Sequence, residues 1–405
     1  MHRRAIVALS LFLLTVPARA NEVVRWNRVM TDASAAAETD PLTESRVFSI
    51  VHAAIHDALN AIERRYEPYK AGVAAASGAS PETAVAAAAH AALVTLMPER
   101  RPAFDRALAE TLERFDDRPA AFAGVEAGRK AAGIVLAARR DDGASRKLVH
   151  RAGKKAGEYR PTPPDFTPAA FAQWGAIRPF ALTSASQFRP VPPLAAGSKR
   201  ARIEADEVRA IGAKDSSLRS AEQAEIARYW YEHSTQGWNR VAREVAAKQN
   251  LDTWESARLL ALVNFAMADG FIGGFEAKYH YNYWRPATAI RENDRENRDS
   301  GWLPYLWTPP VPDYPSTHTV LGAAAAAVLA RFFGTDHVSF SMTSGAPYGG
   351  ITRRFWSFSE AAQENGASRI LAGIHFATAV RAGYTQGEQI GAWTYERALR
   401  PVRPD

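Results

Sequence analysis

The sequence predicts a mainly α-helical fold, because apolar residues recur at helical spacing along most of the chain and no series of alternating strands is found. In the stretch 43–64, apolar side chains recur every three or four residues, as on the buried face of an amphipathic helix. Alanine-rich stretches such as 81–96 favour helix through the high helix propensity of alanine. With 405 residues, 47% of them hydrophobic, the chain can bury a large core. We therefore expect helical bundles joined by loops.

Helix start and stop signals divide the chain into predicted elements. An extended lead-in segment covers 21–40, with Trp26 as its anchor. The predicted helices span 43–64, 81–96, 102–115, 119–139, 201–211, 221–233, 238–248, 253–284 and 317–333, and another begins behind Ser368. Segments rich in proline, glycine or polar residues predict loops at 141–193, 292–315 and 339–351. The first loop separates an N-terminal helical half, 21–200, from a C-terminal half, 201–405, and the two could form one compact domain.

The first 20 residues have the pattern of a secretory signal peptide. Arg3 and Arg4 precede an apolar run, and the segment ends in the small-x-small sequence of a cleavage site. We expect the mature chain to begin near Asn21 and to be secreted or periplasmic. No later stretch is judged long and apolar enough to span a bilayer. The chain has no cysteine, which excludes disulfides, thiolate ligands and thiol nucleophiles.

The net charge is modest, because three arginines of the signal segment contribute to the formal total of +7 and that segment has no acids. No basic cluster is interleaved with aromatic residues, as nucleic-acid recognition would require. The composition therefore gives no reason to expect a nucleic-acid partner.

The segment Pro315-Ser316-Thr317-His318 predicts an anion site at the start of the helix 317–333. The first turn of a helix leaves backbone N–H groups without partners, and the helix dipole adds positive potential there. Ser316 is a good N-cap and supplies a hydroxyl, while His318 supplies a titratable imidazole.

Cations from two other stretches are expected to join this site. Lys278 and Arg285 are seven residues apart, about two helical turns, so we expect them on one face of a single helix that Pro286 ends. Ser368 and Arg369 predict a capped helix start with the arginine in its first turn, and His375 follows as a second imidazole. Three cations with neutral donors suit a tetrahedral or trigonal-bipyramidal oxyanion, either phosphate or vanadate.

The three motifs K-x6-R-P, P-S-x-H and S-R-x5-H occur here in the order that is typical of one superfamily. The chain resembles the vanadium-dependent haloperoxidases and the acid phosphatases of the type-two phosphatidic acid phosphatase kind. The resemblance covers roughly 225–385, and the contexts at 283–286 and 51–62 are similar to the soluble bacterial haloperoxidase-like branch. It implies an all-α fold of that type with vanadate as cofactor, in a site that phosphate could also occupy.

The resemblance also implies roles for individual residues. The positions that match the family's cofactor-binding residues are Lys278, Arg285, Ser316, Thr317, Arg369 and His375. In a haloperoxidase, His375 would bind vanadium directly, His318 would handle the peroxide protons and Lys278 would polarise the peroxide. Halide would then be oxidised to hypohalous acid, with a small organic molecule as acceptor. In a phosphatase, His375 would instead attack phosphorus and His318 would protonate the leaving alcohol.

Two positions depart from the family pattern. Thr317 stands where glycine is usual, and its side chain would crowd the anion slightly. Ala379 stands where the phosphatase pattern has an aspartate, so His375 needs another orienting group, such as a backbone carbonyl. This second departure favours the haloperoxidase over the phosphatase, with an oxyanion-binding protein without turnover as a third alternative.

Other candidate residues have competing interpretations. The resemblance implies a carboxylate that orients Arg369, and the stretch 229–234 resembles the segment that supplies it, which makes Glu232 the candidate. Asp269 is a second candidate, although either could be an ordinary helix residue. His52 and His56 have zinc-ligand spacing but no third ligand nearby, which favours helix packing. His280 could face the pocket or point away from it.

Overall fold

The computed structural model describes residues 21–74, 76–292 and 299–402, and the predicted signal peptide at 1–20 lies outside them. Its mainly helical architecture confirms the predicted fold class. The α-helices of the described residues are α1 Glu22–Ala36, α2 Pro41–Ile62, α3 Pro81–Leu96, α4 Arg101–Leu112, α5 Arg118–Arg139, α6 Lys199–Ile211, α7 Ala221–Tyr229, α8 Ser234–Lys248, α9 Thr253–Tyr281, α10 Pro286–Arg291, α11 Thr317–Phe333, α12 Phe358–Leu371 and α13 Ala377–Arg397. Short 3-10 helices lie at Pro98–Arg100 and Trp174–Ala176.

Two predicted irregular segments are regular in the structure. The lead-in segment is helix α1, because the side chain of Asn21 caps its first turn and Val23, Trp26, Met30 and Ala33 form one buried stripe. The anchoring of Trp26 in the core is confirmed, since its side chain is fully buried. Within the predicted loop at 339–351, strand β1 Phe340–Thr343 begins an antiparallel hairpin with β2 Thr352–Phe355.

Helix α9 is the central element of the fold. By length and composition it could cross a membrane, which corrects the expectation that no such stretch follows the N-terminus. However, 94% of its apolar window is buried inside the structure, as in the core helix of a folded domain. The principal buried cluster extends from Val23 to Leu399 and so draws on both predicted halves of the chain.

Helices α11 and α13 pack with their backbones in close contact. Three glycines spaced four residues apart on α13, Gly383, Gly387 and Gly391, face the backbone of α11. A Cβ built on Gly387 would lie 2.2 Å from the carbonyl oxygen of Val320, and one on Gly391 would lie 2.4 Å from that of Ala324. Only glycine permits this separation, which fixes the start of α11 against its neighbour.

The two histidines of α2 are buried and hydrogen-bonded. Nε2 of His52 lies 2.7 Å from Nδ2 of Asn27, and the nitrogens of His56 lie 3.3 Å from Asp57 Oδ1 and 3.2 Å from Asn60 Nδ2. Within the described ranges, no three His, Cys, Asp or Glu side chains are grouped so that they could hold a metal ion. These contacts support the helix-packing interpretation.

His52 should make the protein less stable in acid. Burial, assisted by the charge of Arg243, lowers the pKa of His52 from 6.5 to about 3. Between these values the unfolded chain takes up a proton that the folded chain does not, so unfolding becomes easier as the pH falls. We expect this residue alone to reduce the free energy of unfolding by about 2 kcal/mol between pH 7 and pH 5. Denaturant titration of wild type and His52→Gln at both pH values checks this, and an identical pH dependence of the two proteins would contradict it.

Candidate functional site

Lys278 and Arg285 lie on different elements, so the prediction that they share one helix is wrong. Lys278 is in the last turn of α9, which ends where Asn282 adopts a left-handed conformation with φ of 48°. Arg285 is the N-cap of α10, and Pro286 begins that helix rather than ending the previous one. Proline suits the first position of a helix, where its missing N–H is not needed.

The helix assignment around Arg369 is also wrong. Ser357 caps α12 by accepting a hydrogen bond from the Glu360 amide at 3.0 Å, so Arg369 falls in the last turn of α12 instead of the first turn of a new helix. The Ser368 hydroxyl donates to the carbonyl of Asn365 within the same helix. His375 follows in the short connection between α12 and α13.

The fold nevertheless brings the predicted cations and imidazoles together. Nη1 of Arg285 lies 3.1 Å from Nε2 of His375. Lys278, Arg369 and His318 are also close enough to His375 for their charges to affect its pKa. The geometric expectation of a single cluster is therefore met, although the role of each residue stays a prediction.

Backbone carbonyls hold the three cations in place. Nζ of Lys278 donates to the carbonyls of Pro312 and Asp313 at 2.6 and 2.9 Å. Arg285 donates from Nε to the carbonyl of Val311 at 2.7 Å. Nη1 of Arg369 donates to the carbonyl of Trp230 at 3.3 Å, and its guanidinium carbon lies 5.5 Å from the centre of the Tyr231 ring.

The cluster carries more buried positive charge than it can neutralise. Lys278, Arg285 and Arg369 are all buried, and burial lowers the pKa of each. The charge of Arg285 lowers the pKa of Lys278 and of Arg369 further. The pKa of Arg369 falls to about 10. The nearest carboxylate oxygen, on Asp313, lies 3.8 Å from Nη1 of Arg285. Nε of Arg369 is buried with no hydrogen-bond partner among the described residues. Unpaired buried cations are costly, so an oxyanion such as vanadate or phosphate fits the set.

The start of α11 completes the site. Ser316 occupies the predicted N-cap position, but its hydroxyl does not cap an amide of the helix. It accepts a hydrogen bond from the Thr319 hydroxyl at 3.0 Å. Nε2 of His318 lies 3.0 Å from the carbonyl oxygen of Glu232. Burial, followed by the charge of Arg369, lowers the pKa of His318 well below 6.5, so its imidazole is neutral at pH 7.

The methyl group of Thr317 is accommodated by α9. A Cβ built on Gly274 would lie 2.6 Å from Cγ2 of Thr317, so this methyl occupies the space that the glycine leaves. The Thr317 side chain, which was expected to crowd an anion, thus has room for its methyl group beside Gly274 of α9.

Gly274→Ala should therefore destabilise the helix start by about 1–3 kcal/mol, because the added methyl overpacks the contact. Thr317→Ser removes the opposing methyl, keeps the backbone amide, and should recover much of that loss in the double variant. Denaturant unfolding of the two single variants and the double variant measures the coupling. Additive effects of the two substitutions would contradict the proposed contact.

Asp313 is the functional candidate that the sequence analysis missed. Its carboxylate is fully buried, and Oδ1 lies 2.8 Å from Nδ1 of His375. Burial raises the pKa of Asp313 to about 7, while Arg285 and Lys278 act in the opposite direction. The group beside Nδ1 of His375 is thus the Asp313 carboxylate rather than the backbone carbonyl that the sequence analysis suggested. The available signal was an acidic residue among prolines only three positions before Ser316.

The two predicted partners of Arg369 have other functions. The Glu232 carboxylate pairs with Arg240 at 2.9 Å and accepts the amide of Gly345 at 2.6 Å, so it does not orient Arg369. The Asp269 carboxylate accepts three backbone amides, those of Phe180, Ala181 and Leu182, and therefore anchors the long loop onto α9.

His280 points away from the cluster. It is exposed, its ring packs edge-on against Tyr281 with 4.8 Å between ring centres, and its Nε2 lies 3.4 Å from Nη1 of Arg189. Of the two orientations left open by the sequence, the structure shows the outward one.

Comparison with known proteins gives matches to one family. A family model described as the VCPO second helical-bundle domain matches residues 258–404. Vanadium chloroperoxidase from Curvularia inaequalis is 26% identical over 226 residues, a match that takes in 40% of this chain. The match spans only 37% of the length of that relative.

Solved structures extend the similarity to nearly the whole chain. The first bacterial vanadium-dependent iodoperoxidase superposes with a TM-score of 0.84 at 27% identity, over 95% of this chain and 98% of that one. A holo-type bacterial vanadium-dependent chloroperoxidase superposes with a TM-score of 0.71 at 19% identity, over 88% of this chain and 91% of that one, and supports the fold alone. With the motifs in one cluster, these similarities lead to one conclusion: the chain is similar in sequence and in fold to the vanadium-dependent haloperoxidases.

Proposed function

We propose that this protein is a secreted haloperoxidase that uses vanadate to oxidise halide with hydrogen peroxide, forming hypohalous acid that halogenates a small organic acceptor. The observation that carries the proposal is the convergence of three buried cations and two imidazoles on the start of α11. The similarity to vanadium-dependent haloperoxidases supports the same chemistry.

The side chains would divide the work by charge and position. Lys278, Arg285 and Arg369 would hold the vanadate oxygens, together with the Ser316 hydroxyl and the Thr317 amide, and Nε2 of His375 would bind vanadium. When bound, vanadate activates hydrogen peroxide toward attack by halide. His318, which is neutral at pH 7, would accept a proton from the incoming peroxide and return one to the product.

Removal and return of vanadate test this proposal. Protein dialysed against a chelator should lose peroxide-dependent halogenation of a phenol and regain it when vanadate is added. Iodide, bromide and chloride should be assayed in parallel, because the relatives include an iodoperoxidase and chloroperoxidases. Absence of activity with all three halides at every pH between about 4 and 8 would contradict the proposal.

An exported acid phosphatase is the second candidate, and the position of Asp313 favours it. The absence of a carboxylate at Ala379 argued against His375 as a nucleophile, but Asp313 supplies a carboxylate 2.8 Å from its Nδ1. A phosphatase would hydrolyse a nitrophenyl phosphate ester and be inhibited by vanadate. Tight vanadate binding with neither activity would instead identify an oxyanion-binding protein without turnover.

Export follows from the sequence pattern of residues 1–20. Expression of the full chain in a Gram-negative host should give protein in the periplasm or medium whose N-terminus is near Asn21, and Edman sequencing checks this. We expect no nucleic-acid partner and no membrane span in the mature protein. Retention of an uncleaved chain in the cytoplasm would contradict the export proposal.

A further inference from the structure

Asp313 has the position of a group that acts on His375. Its carboxylate is fully buried, and the 2.8 Å separation of Oδ1 from Nδ1 is within hydrogen-bonding range. Neither carboxylate oxygen completes a hydrogen bond of standard geometry with a described residue, although the backbone of Phe376 is close enough to lower the pKa of this carboxyl. A buried acceptor without a completed bond is costly, which favours a hydrogen bond from Nδ1 of His375.

The backbone of Asp313 is held rigidly on both sides. Its amide donates to the carbonyl of Tyr283 at 2.9 Å, and its own carbonyl accepts from Nζ of Lys278 at 2.9 Å. One residue therefore connects a cation of the cluster, through its backbone, with an imidazole, through its side chain. This placement suits a group that sets the orientation of another.

A carboxylate at Nδ1 determines what Nε2 can do. A neutral histidine carries one ring proton, and an acceptor beside Nδ1 retains it there. Nε2 then presents a lone pair, and this atom faces the cations, 3.1 Å from Nη1 of Arg285. With the opposite tautomer, an N–H would point at the guanidinium and no lone pair would be available to a metal.

The surroundings of Ala379 show where the carboxylate could otherwise lie. Ala379 and Asp313 line the same small cavity, together with Tyr283, Phe376 and Glu204. Ala379 is fully buried on α13, so its methyl leaves room that a larger side chain at 379 would fill. A carboxylate at position 313, in the loop before α11, or at position 379, in the first turn of α13, would thus line this cavity near His375.

We propose that Asp313 is the positioning residue of His375, holding its proton on Nδ1 so that Nε2 is presented as the ligand atom for the central atom of a bound oxyanion. This inference rests on the proposed function for the identity of the oxyanion. The pairing of Asp313 with His375 does not depend on it.

The test uses the full-length chain and two readouts. Isothermal titration calorimetry measures vanadate affinity, and ¹⁵N NMR of histidine-labelled protein without vanadate reports which nitrogen of His375 is protonated. Asp313→Ala should weaken vanadate binding about 10–100-fold, as loss of an orienting partner of a metal ligand does, and should mix the two tautomers. Asp313→Asn, which keeps the shape and one acceptor oxygen, should show a smaller loss.

Two further variants separate orientation from general damage. Glu204→Gln removes a carboxylate that lines the same cavity but bonds to Thr378 and Arg381. Its charge is the last of the influences on the pKa of Asp313, so the variant should change both readouts far less than Asp313→Ala does. Asp313→Ala combined with Ala379→Asp returns a carboxylate from the other side of the cavity and should recover most of the lost affinity and the Nδ1–H tautomer. A folded double variant without either recovery would count against the proposal.

The proposal is overturned if Asp313→Ala keeps both the affinity and the tautomer of the wild type, or if wild-type His375 carries its proton on Nε2. Failure of the proposed function looks different. Wild-type protein would then bind no vanadate and show no halogenation, while the NMR readout would still decide whether Asp313 controls the tautomer.

Discussion

Arg369→Met should bind vanadate about 10²–10³-fold more weakly than the wild-type chain, yet be more resistant to unfolding when no oxyanion is present. The arginine is buried, one of its nitrogens has no partner among the described residues, and no described carboxylate pairs with it. We therefore expect its desolvation to be compensated mainly by the anion of the proposed function. Methionine is of similar length and can remain against the Tyr231 ring without a buried charge.

The free energies involved are large enough to measure. Breaking a buried pair by removal of one partner costs about 3–5 kcal/mol, which we expect to appear in vanadate binding. Replacing a buried ion pair by apolar side chains is often neutral or stabilising by about 1–4 kcal/mol. For a buried ion without a carboxylate partner we expect a gain of that order in denaturant unfolding without vanadate. Arg258→Met is a matched control, because Arg258 is also buried but lies outside the cluster and donates to the carbonyl of Leu399.

The two arginine variants should differ in a specific way. Arg258→Met should leave vanadate affinity unchanged, whatever its effect on stability. If Arg369→Met bound vanadate as tightly as wild type, the binding role would be refuted. If it unfolded more readily than wild type without oxyanion, the argument from unpaired buried charge would be refuted instead.

His318→Ala should reduce the rate of halogenation by about 10²–10⁴-fold, the usual contribution of a general acid–base group. Vanadate affinity should change by less than about tenfold, because the cations and His375 remain in place. Nε2 of the imidazole lies 3.0 Å from the Glu232 carbonyl oxygen. The ring is close enough to Arg369 for that charge to lower its pKa. Its lowered pKa keeps it able to accept a proton at neutral pH.

The exposed His280 provides the control for this substitution. His280→Ala removes an imidazole from the same half of the chain without touching the cluster, so its rate and affinity should equal those of wild type. Equal rates for His318→Ala and wild type would exclude the acid–base role. A parallel loss of rate and vanadate affinity would show that His318 acts in binding rather than in proton transfer.

The sequence identified the cluster because its members have distinctive chemistry in short motifs, but it placed two of them on the wrong helices. Arg285 was assigned by its spacing from Lys278, whereas the left-handed Asn282 ends the helix between them. Arg369 was assigned by a serine before it, whereas Ser357 had already begun that helix. The spacing of two residues predicts that they share a helix face only when no helix end lies between them.

Contacts between distant segments were harder to infer. Glu232 was a reasonable candidate by its surroundings in sequence, but Arg240, two turns away across the start of α8, takes its carboxylate. Asp313 and His375 are 62 positions apart in sequence, and no periodic pattern links them. The helix at Glu22–Ala36 could have been found, since its buried stripe has helical spacing and Asn21 is a good cap.

The glycine stripe of α13 has a consequence for evolution and engineering of the pocket. Because Gly383, Gly387 and Gly391 place one backbone directly on another, even a single methyl at these positions would push the first turn of α11 outward. The backbone amides that we propose bind vanadate are consequently in place without it, with little reordering to oppose binding. Changes of specificity should therefore accumulate in the side chains around the cluster, while substitution at these three glycines should be poorly tolerated.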